Sequence, residues 1–594
     1  MKRRDLLKRA GALPFLALPL RARAAPAMRR VRPGDPDWPD AASWEAVNRQ
    51  VGGRLIKVQS PLQACAGDAG RCADLFKALK NPYYIGDEPG LTQTLGWVDA
   101  WTSQPSAYAV AARSTADVVA AVNFARERNL RLVVKGGGHS YLGTSNAPDS
   151  LLVWTRPMNA IALHDAFVPA GCATDPQPAA TIGAGAIWAQ AYDAVTTKGG
   201  RYVQGGGCLT VGVAGLIQSG GFGSFSKGYG TAAASLLEAE LVTADGAVRI
   251  ANACTHPDLF WAIKGGGGGS FGVVTRVTVR THELPEFLGS VSMTIRATSD
   301  DAFRRLIAQI MGFHAEHLLN PHWGEKLVFA PGNVLAVRML YQGLDRQQAE
   351  TAWRPFFDWV AASPRDFQAA SPPAISVVPA RKVWDAAFLK TIPGVVTSDD
   401  RPGAPEGNIF WSGDNGETGQ FLYGFESAWL PAALLRTEQR PALVDALFAA
   451  TRHWTVSLHF NKGLAGAPAA AIAAARDTAT NPAVLDAFAL AIIGAGGPPS
   501  YPGIVGREPD LTLAHERARA ASDAMNALRR AAPNAGAYVS ESNFFDESWQ
   551  RSYWGDNYGR LLAVKDKYDA DGLFIVHHGV GSERWSADGF ARLN

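Results

Sequence analysis

Lys135-Gly136-Gly137-Gly138-His139-Ser140-Tyr141 is the stretch on which the reading of this chain turns. Three successive glycines carry no Cβ, so the backbone there can approach a ligand closely and present its N–H groups to phosphate. Immediately before them, Leu130 to Lys135 reads as a strand. Further upstream, Ser114-Thr115-Ala116-Asp117 reads as a helix start, followed by Val118, Val119, Val122 and Ala125 at helical spacing. A helix, a strand and a glycine loop in that order make a candidate cradle for a dinucleotide phosphate.

The two familiar nucleotide motifs are absent. Gly183-Ala184-Gly185 lacks the third glycine of a Rossmann fingerprint, and no G-x-x-x-x-G-K-[ST] occurs. Further glycine-rich backbone lies at Gly205-Gly206-Gly207-Cys208-Leu209-Thr210-Val211-Gly212, then at Gly215, Gly220, Gly221 and Gly223. Leu241 to Ile250 reads as a hairpin around Asp245-Gly246. Phe271 to Thr281 alternates Val273, Thr275, Val277 and Val279 as a half-buried strand, with five glycines, Gly265 to Gly269, just before it.

A chain of 594 residues implies two or three domains, and 47% hydrophobic against 19% charged residues supplies a large core. A formal charge of +3 from 57 basic and 54 acidic residues leaves no electrostatic footprint for nucleic acid or an anionic membrane. The expected partner is a small molecule. Met1 to Ala24 reads as a twin-arginine leader: Arg3-Arg4, an apolar stretch from Ala10 to Leu20, and Ala22-Arg23-Ala24 as the cleavage site. That predicts export to the periplasm or beyond, with no membrane attachment after the leader is removed.

Several separate motifs resemble the berberine bridge enzyme group of the vanillyl-alcohol oxidase superfamily of FAD-dependent oxidases. Lys135 to Tyr141 resembles the family's G-G-H-S-Y segment, which implies that His139 bonds to the 8α-methyl of the isoalloxazine. Gly206 to Gly212 resembles the G-x-C-P-T-V-G segment, with Leu209 in place of proline, and implies a second bond from Cys208 to carbon 6. Ser552 to Leu561, containing Asn557, and Lys565 to Asp569 resemble the closing signature, whose usual Asp-Pro is Asp569-Ala570 here. The resemblance implies FAD held by Lys135, Gly136, Gly137, Gly138, His139, Ser140, Gly207, Cys208, Thr210, Val211, Gly212, Gly215, Gly220, Gly221, Val274 and Asn557.

The fold implied is α+β: a two-part PCMH-type FAD-binding domain made from both ends of the chain, with an inserted α+β substrate domain. The expected boundaries are residues 25–104 for an irregular N-terminal extension, 105–283 for the first FAD-binding part, 284–535 for the substrate domain and 536–594 for the berberine bridge-like segment. Of five cysteines, four remain if Cys208 is consumed by flavin, and Cys65 with Cys72 and Cys172 with Cys254 is one possible pairing.

The chemistry implied is hydride transfer from a substrate C–H to the flavin while a base takes the hydroxyl proton. Tyr141 is the first candidate base; Tyr538 and Glu541, in a run resembling the family's Y-x-N-E-x-D with Ser540 and Asn543 departing, are the second. Val211 resembles the residue of oxygen-reactive members, so the expected activity is an oxidase that releases hydrogen peroxide. A dehydrogenase with another acceptor and a flavin-binding protein without turnover remain open. A sugar, alcohol or phenolic hydroxyl is the expected substrate. His314-Ala315-Glu316-His317 reads as a solvated helix face, not a metal site, and His577-His578 as a strand end without a role.

Overall fold

The computed structural model describes residues 28–593. Three main sheets organise them. The first runs in the order Leu55–Lys57, Tyr108–Ala111, Ser150–Trp154, Arg131–Lys135, antiparallel at its first pair and parallel thereafter. The helix Thr115–Glu127 lies over it. Ser114 caps that helix by accepting from the Asp117 amide, while Asp117 reaches back to the Ser114 amide, a reciprocal capping box. Its Val118, Ala121, Val122 and Ala125 bury against Leu132 and Val153. The helix and strand therefore stand where the periodicity predicts them.

The second sheet is antiparallel and carries the hairpin Leu236–Val242 to Val248–Asn252, then Val273–Glu283, Gln177–Gly183 and Ile161–Phe167. The third has nine strands, most of them from Phe287–Ala297 onward to Ala487–Gly497. One face of it is greasy: Val291, Met293 and Ile295 pack with the helices Asp300–Phe313, Arg440–Thr451 and Leu511–Arg529 in a single large core. The alternate residues, Ser290 and Ser292, point to the opposite face and line a cavity, as the two-residue period of a strand requires.

Segments near both ends of the described residues pack against the first two sheets. Phe574 bridges Leu132, the Trp554 indole donates to the Gly265 carbonyl at 2.9 Å, and the Arg30 amide donates to the Phe590 carbonyl at 2.8 Å. This is the expected α+β arrangement of a flavin domain assembled from N- and C-terminal portions with a second α+β unit between them.

Two expectations need correction. The segment before residue 105 is built, not irregular: helices Ala41–Gln50 and Ala69–Ala78 form, Leu55–Lys57 pairs with Tyr108–Ala111, and Gly96–Trp97 pairs with the inserted sheet. Its Pro and Trp content hides this, because Leu55–Lys57 and Gly96–Trp97 pair with strands far along the chain. His314 is not on a solvated face. It ends the helix Asp300–Phe313 in a wide turn and is fully buried against Phe460 at 4.0 Å, whereas His317 is exposed. Cys65–Cys72 and Cys172–Cys254 are the disulfides formed, and Cys208 is free. The leader lies outside the described residues.

Candidate functional site

Two glycine loops press together to frame the site. Gly138 has φ +75°, a left-handed turn that favours glycine. A Cβ on Gly137 would lie 2.5 Å from the Gly212 amide nitrogen, so neither loop tolerates a side chain at the crossing. Behind the first loop, the Lys135 ammonium donates to the carbonyls of Pro89 at 2.6 Å, Leu91 at 2.8 Å and Glu88 at 3.3 Å. Burial brings its pKa down to about 7.

The loops open onto a cavity of about 1070 Å³ between the first two sheets and the polar face of the nine-stranded sheet. Gly136, Gly137, Gly138, His139, Ser140 and Tyr141 line it along one loop; Gly207, Cys208, Thr210, Val211, Gly212 and Gly215 line it along the other. Val274, Tyr538 and Glu541 also reach it. Four expected contacts do not. Lys135 faces the 88–91 loop, Asn557 donates to the Thr480 carbonyl at 3.0 Å, and Gly220 and Gly221 shape a turn at φ +99° and +71° against Thr480 and Leu216. They support the walls from behind.

The cavity suits a flavin dinucleotide. At Gly207, Gly215 and Gly268 an added Cβ would meet no protein atom within 4 Å, and all three line the cavity, so side chains there would take up ligand space. His139 is enclosed, with Nε2 3.2 Å from the Thr210 hydroxyl, and burial together with nearby Arg156 brings its pKa down to about 4. It stands as a neutral imidazole, the form with a nucleophilic nitrogen.

Charged groups from the inserted unit crowd the opposite side. The Tyr141 hydroxyl donates to Glu417 at 3.5 Å, and its ring lies 4.9 Å from that of Phe425. Burial, with Glu417 next, pushes the Tyr141 pKa far up, and burial followed by Asp414 raises that of Glu417. Lys462 donates to both oxygens of Glu541. Tyr538 packs edge-on to Phe222 at 5.0 Å, and burial raises its pKa. Burial likewise raises the pKa of Cys208, with Asp414 as the next cause. Trp411 donates to the Gly207 carbonyl at 2.9 Å, fastening the 411–417 segment beside Cys208.

Sequence reasoning missed Asp414, Glu417, Lys326, His459 and Lys462, all of which line the cavity. Their neighbourhoods in the chain carry no motif; only the sheet register brings Lys326 opposite His459. His577 and His578 also line the cavity instead of ending a strand, His577 stacked on Phe544 at 3.7 Å and His578 bonded to the Tyr553 hydroxyl at 3.2 Å. Their apolar neighbours gave them the look of a strand end. Among the described residues no cluster of His, Cys, Asp and Glu is arranged to hold a metal, and no helix is long and apolar enough to cross a membrane.

Residues 106–252 match the family profile of an FAD binding domain, and residues 537–581 that of berberine and berberine-like proteins. The chain is 31% identical over 599 residues to the VAO-type flavoprotein oxidase VAO615 of Thermothelomyces thermophilus, covering 95% of each chain. The crystal structure of the VAO-type flavoprotein MtVAO615 from Myceliophthora thermophila C1 superposes with a TM-score of 0.78 at 27% identity, covering 95% of this chain and 100% of that one. Glucooligosaccharide oxidase from Acremonium strictum, described with a 6-S-cysteinyl, 8α-N1-histidyl FAD, shares the fold at TM-score 0.63 and 20% identity, covering 82% of this chain and 94% of that one. The curated relative is fungal and lends no support to a twin-arginine route.

Proposed function

Because this chain belongs to the VAO-type, berberine-like FAD-linked oxidoreductases, we propose that it is an oxidase that removes a hydride from the carbon of a hydroxyl-bearing substrate, a sugar, an alcohol or a phenolic metabolite, and delivers the electrons to dioxygen as hydrogen peroxide. The observation that carries the reading is the convergence of His139, Cys208 and the Tyr141–Glu417 pair on one cavity.

FAD, when bound, supplies the hydride acceptor and the route to oxygen. His139 and Cys208 would hold it by two bonds, as in the 6-S-cysteinyl, 8α-N1-histidyl FAD of glucooligosaccharide oxidase. Gly207, Gly215 and Gly268 would leave room for it. Tyr141 would take the proton of the substrate hydroxyl while passing its own to Glu417. An isolated tyrosinate is disfavoured in this enclosed site, so the carboxylate is the resting place for the proton, and its raised pKa makes it a stronger base. Lys462 neutralises Glu541, which leaves Glu541 a weaker candidate base than Glu417. Val211, on the wall beside Cys208, would leave oxygen a path. Residues 284–535 would supply substrate recognition through the polar sheet face, and export of the mature chain would place the reaction outside the cytoplasm.

The test is oxygen uptake and peroxide release by the purified yellow protein across a panel of oligosaccharides, primary alcohols and phenolic alcohols. Stoichiometric peroxide with one class supports an oxidase. Turnover only with an artificial dye replaces it with a dehydrogenase.

A further inference from the structure

We infer that Asp414 is the base that deprotonates Cys208 so that its sulfur can bond to carbon 6 of the flavin. This rests on the doubly attached flavin proposed above and goes beyond it by naming the group that makes the second bond.

Asp414 and Cys208 line the same cavity, and Asp414 lies three residues beyond Trp411, whose indole is bonded to the carbonyl of Gly207, the residue before Cys208, so the carboxyl and the thiol stand close enough to perturb each other. Among the described residues the Asp414 carboxyl makes no ion pair and no hydrogen bond, although Lys326 and Glu325 lie near enough to act on it. Its backbone is fixed: the Asp414 carbonyl accepts from the Glu417 amide at 3.0 Å and the Thr418 amide at 3.2 Å, and Trp411 ties the segment to the Gly207 carbonyl at 2.9 Å. So a carboxylate from the inserted unit is held against a thiol from the flavin domain, where no sequence proximity would place it.

A thiol in this place needs such a partner. Only the thiolate is a competent nucleophile, and burial pushes the Cys208 pKa upward, away from the ionised form. Burial raises the Asp414 pKa as well, which makes its carboxylate a stronger base than one in open solvent. Among the described residues Lys462 is the group that favours the thiolate, and it is engaged with Glu541.

The step balances. Asp414 takes the Cys208 S–H proton, and the sulfur electron pair forms the bond to carbon 6. The hydrogen on that carbon leaves as a proton, and the two electrons released on the ring pass with two protons to dioxygen, which becomes hydrogen peroxide. His139 needs no such help, since it already stands neutral.

The experiment compares the full-length wild-type protein with the D414N, D414E and C208A variants, each expressed with its flavin, acid-denatured, digested and mapped by mass for flavin on the His139 and Cys208 peptides. The expected result is both links in the wild type, the His139 link alone in D414N and C208A, and recovery of the Cys208 link in D414E. In D414N the Cys208-linked fraction falls at least tenfold and the thiol becomes alkylatable after unfolding. The retained His139 link reports that D414N has folded around its cofactor. An undiminished Cys208 link in D414N overturns the role of Asp414 while leaving double attachment intact. Absence of that link from the wild type overturns both.

Discussion

Gly137 and Gly212 pass so close that a Cβ on the first would sit 2.5 Å from the amide nitrogen of the second. The contact is backbone on backbone, so no side chain can swing away to relieve it. Gly137→Ala therefore has to separate the loop bearing His139 from the loop bearing Cys208. Overpacking of this kind costs about 1–3 kcal/mol. The expected outcome is a lower melting temperature and a reduced ratio of flavin to protein absorbance, whereas Gly207→Ala, with open space around it, leaves the melting temperature unchanged and lowers flavin content alone.

The Tyr141–Glu417 pair makes a kinetic prediction. Tyr141→Phe removes the hydroxyl that receives the substrate proton, and loss of a positioned acid or base costs roughly 10²–10⁴ in rate. The expected result is a fall of that order in the anaerobic flavin-reduction rate with flavin content preserved. Glu417→Gln should reduce the same rate. Full activity in Tyr141→Phe would move the proton acceptor elsewhere in the cavity.

Lys462 and Glu541 form a largely enclosed ion pair, with side-chain exposures of 11% and 20%. Removing one partner strands the other charge, while removing both does not. Lys462→Met alone is expected to destabilise the protein by about 1–3 kcal/mol, and adding Glu541→Gln to restore much of the loss. A melting-temperature cycle over the four proteins reads the coupling. Equal and additive losses would show that the two groups act separately.

The disulfides should differ in weight. Cys172–Cys254 closes a separation of 82 residues and Cys65–Cys72 one of 7. Chain entropy assigns about 4.5 kcal/mol to the longer loop and about 2.4 kcal/mol to the shorter. Replacing the first pair with serines should therefore lower the unfolding free energy more than replacing the second, as denaturant titration would show.

What could be read from the sequence follows a physical divide. The helix Thr115–Glu127, the strand ending at Lys135 and the loop to Tyr141 are local structures, set by a cap, a period and three glycines in a row. The charged wall is not local. Asp414 and Glu417 come from a short turn, Lys326 from the middle of a strand and Lys462 from the segment after another, and only the register of the nine-stranded sheet and the placing of the 411–417 segment assemble them. Lys135 shows the converse error: it adjoins the glycine loop in sequence, yet its ammonium turns to three carbonyls on the far side.

His282 gives the fold a dependence on acid. Its ring lies 4.7 Å from that of Tyr229, its Nε2 has no hydrogen-bond partner, and burial, then Arg280 and Arg201, brings its pKa from 6.5 to about 4. Above pH 6.5 the ring is neutral in both folded and unfolded chains and imposes no penalty. As pH falls below 6.5 the unfolded chain takes up a proton that the folded one refuses, and stability declines until about pH 4, below which both are protonated and the loss is constant. At about 1.36 kcal/mol per pKa unit the loss from this one residue is at most about 3 kcal/mol. Other buried histidines, His578 and His459 among them, push the same way, so the wild-type slope exceeds this. His282→Gln should therefore flatten the melting temperature against pH between 6.5 and 4 without removing the slope. Parallel curves for the two proteins would mean that His282 accepts its proton in the folded state as readily as in the unfolded one.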